Sequence, residues 1–405
     1  MSTSVPTPPV PASGRRWVIL GCYALLAACT QLLWLSFAAV DTRAAAAMHT
    51  DVGAIGDLAI IFPLIYVVLA LPTGRWLDAR FGQALGVGAV LTGVGGVIRL
   101  LAPSSFAVQV AGQVVIAAGQ PLVLNSITKV AARYFPPHQR AAAISVGTVA
   151  LFAGILAAVL AGAPLMDAGG LPLLLAVEAV PSVVAALLMI AVLRMPAAFA
   201  DDTSAAVSLR WLTHDRFMWK LAALVFLGMG TYNAVATWLQ PILQNYGEGN
   251  AAGNLVALMT GGGILGAAIL PSTVAARDRR RALLITALSL SVVVFTALAV
   301  RQDVAWYAGW LLIEGVVLMA SLPVVLDWSA LHTGVERQGA ASGFLLMCGN
   351  LGGLVLPGLV QVVLGSTALP FLVLAVAAAL GVPVTLRLPR AGFERSNRSR
   401  RSELN

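Results

Sequence analysis

Long apolar runs, cut by short clusters of charged and turn-forming residues, repeat along the whole chain. They fall near 17–40, 54–71, 85–102, 106–131, 141–164, 171–193, 217–242, 252–275, 282–300, 304–330, 339–363 and 368–386. Each is close to the roughly 20 residues that a helix needs to cross a bilayer. The pattern predicts an all-α membrane protein with twelve transmembrane helices. Composition agrees, since only 10% of the residues are charged, where a soluble domain carries about 25%. So few charges cannot clothe a water-facing surface.

Charge placement then sets the orientation. Of the 25 Lys and Arg, all but Arg43, Arg99 and Arg301 lie at the connections on one side, or at the span ends adjoining them. Basic residues mark the cytoplasmic side, so both termini are expected inside. The same placement removes nucleic acid as a partner for the net charge of +8. The Arg279–Arg281 run and the Arg-rich C-terminus read instead as anchors against anionic lipid. The run 17–40 is too long for a signal-peptide core and reads as a first span. Cys22, Cys29 and Cys348 fall inside apolar runs without metal or disulfide spacing.

The longest internal connection, 194–216, divides two six-span halves that echo each other about 200 residues apart. Arg140 precedes Ser145 by five residues, and Arg337 precedes Ser342 likewise. The expected organisation is a disordered tail over 1–14, a half over 15–193, the loop 194–216, a second half over 217–386 and a basic tail over 387–405. Parallel six-span repeats suit alternating access, with a site near the bilayer midplane.

The connection after span two reads Gly74-Arg-Trp-Leu-Asp78-Ala-Arg80-Phe-Gly82-Gln-Ala84. It resembles the loop pattern of major facilitator transporters, with Ala84 in place of the final basic residue. The resemblance implies an inner gate of Gly74, Asp78, Arg80 and Gly82 with Arg140 and Arg337. Asp78 would pair with a basic residue of a neighbouring inner loop, Arg140 being the candidate, and cap a helix N-terminus. The matching loop of the second half keeps only its basic residues. A buried Arg on span four and a Gly-Pro pair on span five are missing, which counts against a proton-driven drug exporter.

Two further blocks narrow the comparison. They are Gly112-Gln-Val-Val-Ile-Ala-Ala-Gly-Gln120-Pro-Leu-Val-Leu-Asn125 with Lys129-Val-Ala-Ala-Arg133-Tyr-Phe135, and Arg15-Arg-Trp followed by Trp34. Both are similar to the family of the feline leukaemia virus subgroup C receptor, which includes choline and ethanolamine carriers. That resemblance implies a solute held by a Trp on span one, a Gln on span four, a Tyr on span seven and a Gln on span eleven. Trp34 and Gln120 keep the first two. Asn233, with Tyr232 beside it, and Asn350 stand at the others.

Helical geometry adds its own candidates. Gln31 and Trp34 share a face of span one. Gln109, Gln113 and Gln120 share one of span four, and Asn233, Thr237, Gln240 and Gln244 one of span seven. A lone intramembrane amide usually serves as interhelical glue, worth about 0.6 kcal/mol. Stripes on several helices point instead to a solute path. Glu314, mid-span in span ten, is a candidate for a coupling proton or for the countercharge of a cationic solute. The inventory favours a small neutral or singly cationic solute, carried by a monomer in a bacterial plasma membrane. An exporter or small-anion carrier is the alternative, and a non-transporting receptor a further one. No cofactor or metal site is expected, and His49, His138, His214 and His332 sit at loops or span ends with no catalytic constellation.

Overall fold

The computed structural model describes residues 13–197, 199 and 208–389. Most of the expected N-terminal tail, positions 198 and 200–207 of the central loop and most of the C-terminal tail therefore lie outside the described residues. Among the described residues, eleven helices are long and apolar enough to span a membrane. One of them, Pro137–Val192, has 56 residues, about 84 Å at 1.5 Å per residue and too long for one crossing. Its backbone leaves helical geometry at Gly169 and Gly170, the latter at φ 65. A left-handed residue of this kind favours glycine. The helix therefore folds back there and makes two crossings, giving twelve.

These crossings are α1 (Ser13–Trp34), α2 (Val52–Ala79), α3 (Phe81–Leu101), α4 (Phe106–Leu124), α5 (140–168), α6 (171–192), α7 (Arg216–Gln244), α8 (Ala252–Ala276), α9 (Arg280–Val300), α10 (Val304–Thr333), α11 (Gln338–Gln361) and α12 (Leu369–Leu386). Within the first half, α1 packs on α5 and α3 on α4 and α6. In the second, α7 packs on α11, α8 on α10, and α9 on α12. The halves meet where α2 lies against α11 and α5 against α8.

Three boundaries differ from the sequence reading. The first helix stops at Trp34, and residues 35–40 form turns before a short helix, Asp41–Ala47. The stretch Gly74–Asp78 is helical, so the expected inner loop shrinks to a junction at Arg80. The fourth run breaks at Asn125 and Ser126 before resuming as Ile127–Tyr134.

The apolar core shows which end is shut. One cluster of buried side chains joins both halves at the basic end, including Leu77 and Phe135 from the first half with Leu326 and Phe344 from the second. At the opposite end each half keeps its own cluster, around Phe37 and Leu174 in one and around Phe295 and Tyr307 in the other. The bundle is sealed inside and parted outside.

Candidate solute cavity and inner clasp

A central cavity lies between the halves. Its lining comes from α1, α2, α4, α5, α7, α9, α10 and α11, and no lining residue is charged. Six of the expected site residues stand in its wall: Gln31, Trp34, Gln120, Tyr232, Asn233 and Asn350.

Their hydrogen bonding differs in a way that bears on function. The Trp34 indole N–H donates to the Ala59 carbonyl at 2.8 Å, and its ring lies 6.1 Å from that of Phe62. The Tyr232 hydroxyl meets that of Thr260 at 3.1 Å, and the Asn350 amide donates to the Leu346 carbonyl at 2.9 Å. Gln31 and Gln120 are 4% and 3% exposed, and among the described residues neither side chain has a hydrogen-bond partner. Buried polar groups are normally paired. Two amides left unpaired at a cavity wall are free to hold whatever enters.

The other candidates lie elsewhere. Gln113 is buried outside the cavity wall and donates to the carbonyls of Leu58 (3.2 Å) and Trp34 (3.4 Å). Thr237 and Gln240 continue the α7 stripe outward as exposed residues beyond the cavity. Glu314 is fully buried one turn outward of the cavity-lining Leu318. Its Oε1 accepts from the Ser291 hydroxyl at 2.6 Å, and its Oε2 has no partner. Sequence reasoning missed Phe62, Phe152, Met229, Met319 and Ser321 in the wall. In an all-apolar helix, nothing in the pattern separates a cavity-facing apolar residue from a packed one.

Around the first helix's broken end, buried polar groups form a bracket. Leu33 and Trp34 end the helix and leave carbonyls that no further turn satisfies. Arg99, fully buried, donates to the Leu33 carbonyl at 2.9 Å, and Gln113 reaches that of Trp34. Arg99 also donates to Gln109 Oε1 at 3.1 Å, lies 3.8 Å from Glu178 Oε2, and sits over the Phe37 ring at 4.8 Å. Ser36 donates to Glu178 Oε2 at 2.6 Å. Gln109, expected on the solute path, thus belongs to this bracket.

Below the cavity the halves are clasped. The N-terminal N–H groups of α11 have no side-chain cap of their own. Asp78, at the inner end of α2 and fully buried, supplies one by accepting from Gly339 N at 2.8 Å and Ala340 N at 2.9 Å. The carboxylate also sits at the positive end of the helix dipole. Lys129 Nζ closes the group at 3.1 Å. Lys129, on the short helix Ile127–Tyr134, is the basic residue seen beside Asp78, where the sequence offered Arg140 as the candidate. Arg140 donates to the Ala132 and Phe135 carbonyls at 3.2 Å each. Gly74 makes the clasp possible, since a Cβ there would stand 2.5 Å from the Gly339 carbonyl oxygen. Thr128 and Ser342, 2.8 Å apart, complete the seam. Arg337 stacks on Trp211 at 5.4 Å, and Arg80 and Gly82 face a separate groove.

A bundle of two six-helix halves, clasped at one end beneath a polar-aromatic cavity, has the architecture of a solute carrier. The chain belongs to the Major Facilitator Superfamily, whose pattern matches residues 19–357. It is 26% identical to Solute carrier family 49 member A3 of Xenopus tropicalis over 84% of this chain and 76% of that one. It is 32% identical to the Danio rerio protein of the same name over 63% of this chain, spanning 58% of that relative. The human choline/ethanolamine transporter FLVCR2 is 26% identical over 34% of this chain and 27% of its own length. The fold is also that of the Escherichia coli fucose:proton symporter, with a TM-score of 0.74, 15% identity and coverage of 92% and 97% of the two chains.

Proposed function

We propose that the chain carries a small, neutral or singly cationic organic solute, an amine above all, across the inner membrane of a bacterium by alternating access. The observation that carries this reading is the cavity wall. It holds no charge, yet presents the unpaired amides of Gln31 and Gln120 beside the Trp34 ring. An ammonium over a desolvated indole gains up to about 2 kcal/mol, and the two amides supply carbonyl oxygens to its N–H or O–H donors. A multiply charged anion would find no cation there. The similarity to a choline/ethanolamine transporter supports the same class. In this reading the sealed inner clasp and parted outer end are the outward-facing state, and the protein works as a monomer.

The test is a thermal-shift screen of the purified chain against amines, vitamins and small anions, followed by uptake into liposomes. An amine should stabilise the protein, and Trp34→Ala and Gln120→Ala should each abolish the effect. Stabilisation by an anion that ignores both substitutions would overturn the proposal.

A further inference from the structure

Arg80 and Gly82 belong to the sequence motif at the inner end of α2, but neither takes part in the clasp. Both line an open groove on the outside of the first half. Its walls are Ala79, Arg80, Gly82, Gln83 and Gly86 on one side and Ile190, Leu193 and Arg194 on the other. The groove therefore opens between the inner ends of α3 and α6, at the level where membrane helices meet the headgroups.

Three features of this groove point to one ligand chemistry. Two exposed arginines, Arg80 and Arg194, line it from opposite walls, and among the described residues neither side chain has a hydrogen-bond or ion-pair partner. No carboxylate lines it. Gly82 leaves open space where a side chain would fill the mouth, with nothing within 4 Å of a Cβ placed there. One turn further into the membrane, the same two helices present Val90 and Leu187, 44% and 62% exposed. Polar, doubly cationic space thus opens at the headgroup level above an apolar track.

We infer that this groove is a binding site for the phosphate of an anionic phospholipid of the inner leaflet, held between Arg80 and Arg194. Planar guanidinium forks match phosphate oxygens in pairs. A free phosphate would satisfy the two arginines equally but would leave the apolar track unused. A lipid whose chains run along Val90 and Leu187 uses both. Occupancy would fasten the junction at Arg80, three residues from Leu77 of the inner core and two from Asp78 of the clasp.

The test is native mass spectrometry of the purified full chain, titrated with phosphatidylglycerol, phosphatidylcholine and inorganic phosphate. Phosphatidylglycerol should be retained in preference to phosphatidylcholine, and inorganic phosphate should not displace it. Each of Arg80→Gln and Arg194→Gln should weaken retention about five-fold, and the double variant about 25-fold. Arg210→Gln with Arg216→Gln removes the same charge from two exposed arginines outside the groove and should leave retention unchanged. The proposal fails if both double variants lose the lipid equally, since a diffuse basic surface would then suffice. It fails too if phosphatidylcholine binds as well, or if inorganic phosphate competes. Should the groove double variant not fold, the two single variants against single Arg210→Gln and Arg216→Gln controls decide the same question. None of these readouts depends on the transported solute.

Discussion

Replacing Asp78 by Asn should unlock the inner side of the transporter. The carboxylate is fully buried and holds the N–H groups of Gly339 and Ala340 and the ammonium of Lys129. An amide of the same shape keeps one acceptor oxygen but turns an N–H₂ donor toward one of the α11 donors, and leaves the ammonium without its countercharge. Removing one member of a buried ion pair costs about 3–5 kcal/mol. The interaction with the helix N-terminus, up to about 2 kcal/mol, overlaps with that figure rather than adding to it. The Asp78–Lys129 pair lies within the first half and survives opening, so only the cap on α11, taken at about 2 kcal/mol, is lost by the inner-closed state alone, and the inner-open population rises about 30-fold. The assay is maleimide labelling of Ser342→Cys, in a chain whose three native cysteines have been replaced, from the cytoplasmic side of inverted vesicles. Ser342 is fully buried against Thr128, so its labelling reports opening. Labelling should accelerate about 30-fold in Asp78→Asn, and adding Lys129→Gln should raise the melting temperature without restoring the slow rate, because the ammonium and Asp78 lie in the same half. An unchanged rate in a protein that melts normally would refute the assignment of Asp78 as the clasp.

Other positions separate binding from support. Gly74→Ala should also speed Ser342→Cys labelling, since the new Cβ would stand 2.5 Å from the Gly339 oxygen and force α2 and α11 apart. Gln120→Ala should remove solute stabilisation with little change in melting temperature, whereas Gln113→Ala should lower stability by about 1–3 kcal/mol by freeing the Leu58 and Trp34 carbonyls. Circular dichroism melts of the two variants make that comparison. Glu178→Gln should cost about 3 kcal/mol or more, as Arg99 loses its countercharge, but Glu314→Gln should cost less than about 1 kcal/mol. The Glu314 carboxyl has no cation to lose, and the amide oxygen still accepts from Ser291. If liposome uptake by Glu314→Gln keeps its full pH dependence, Glu314 carries no coupling proton.

Most of the scaffold was legible because lipid imposes a simple rule, that a spanning segment must be apolar and helical. The division into two halves and the N-terminal cap expected of Asp78 followed from charge placement and one motif. What stayed hidden was set by tertiary contacts. Nothing local ends the first helix at Trp34; Arg99 and Gln113, 65 and 79 residues away, hold its last carbonyls. Lys129 reaches Asp78 from the short helix that follows a break at Asn125, whose side chain bonds Tyr66, Ala70 and Thr73 on α2. For the cavity, hydrophobic periodicity carried no information, because every helix is apolar on all sides. Only the amides and aromatics stood out against that background, and the structure puts Gln31, Gln120, Asn233 and Asn350 in the wall but sends Gln109 and Gln113 to the bracket.

The buried charges sort by location in a way that explains the uncharged cavity. Among the described residues, four carboxyl groups are buried: Asp78, Glu178, Glu314 and Asp327. Three of them face a cation, through Lys129, Arg99 and Arg280 respectively, and each of these pairs bridges helices at an end of the bundle. Asp78 with Lys129 and Asp327 with Arg280 lie at the inner end, one in each half, while Arg99 with Glu178 lies at the outer end of the first. Pairs of this kind gain little net stability, but breaking one is expensive, so they suit braces within a half that must hold while the halves move. A charge in the cavity would do the opposite: it would hold a counterion or an oppositely charged solute through the whole cycle. Keeping charge at the ends and amides in the middle lets the clasp set which side is open, while the solute meets only groups that release it readily. Glu314 is the exception, buried beside the cavity with no cation, and the comparison of Glu314→Gln with Glu178→Gln tests that distinction directly.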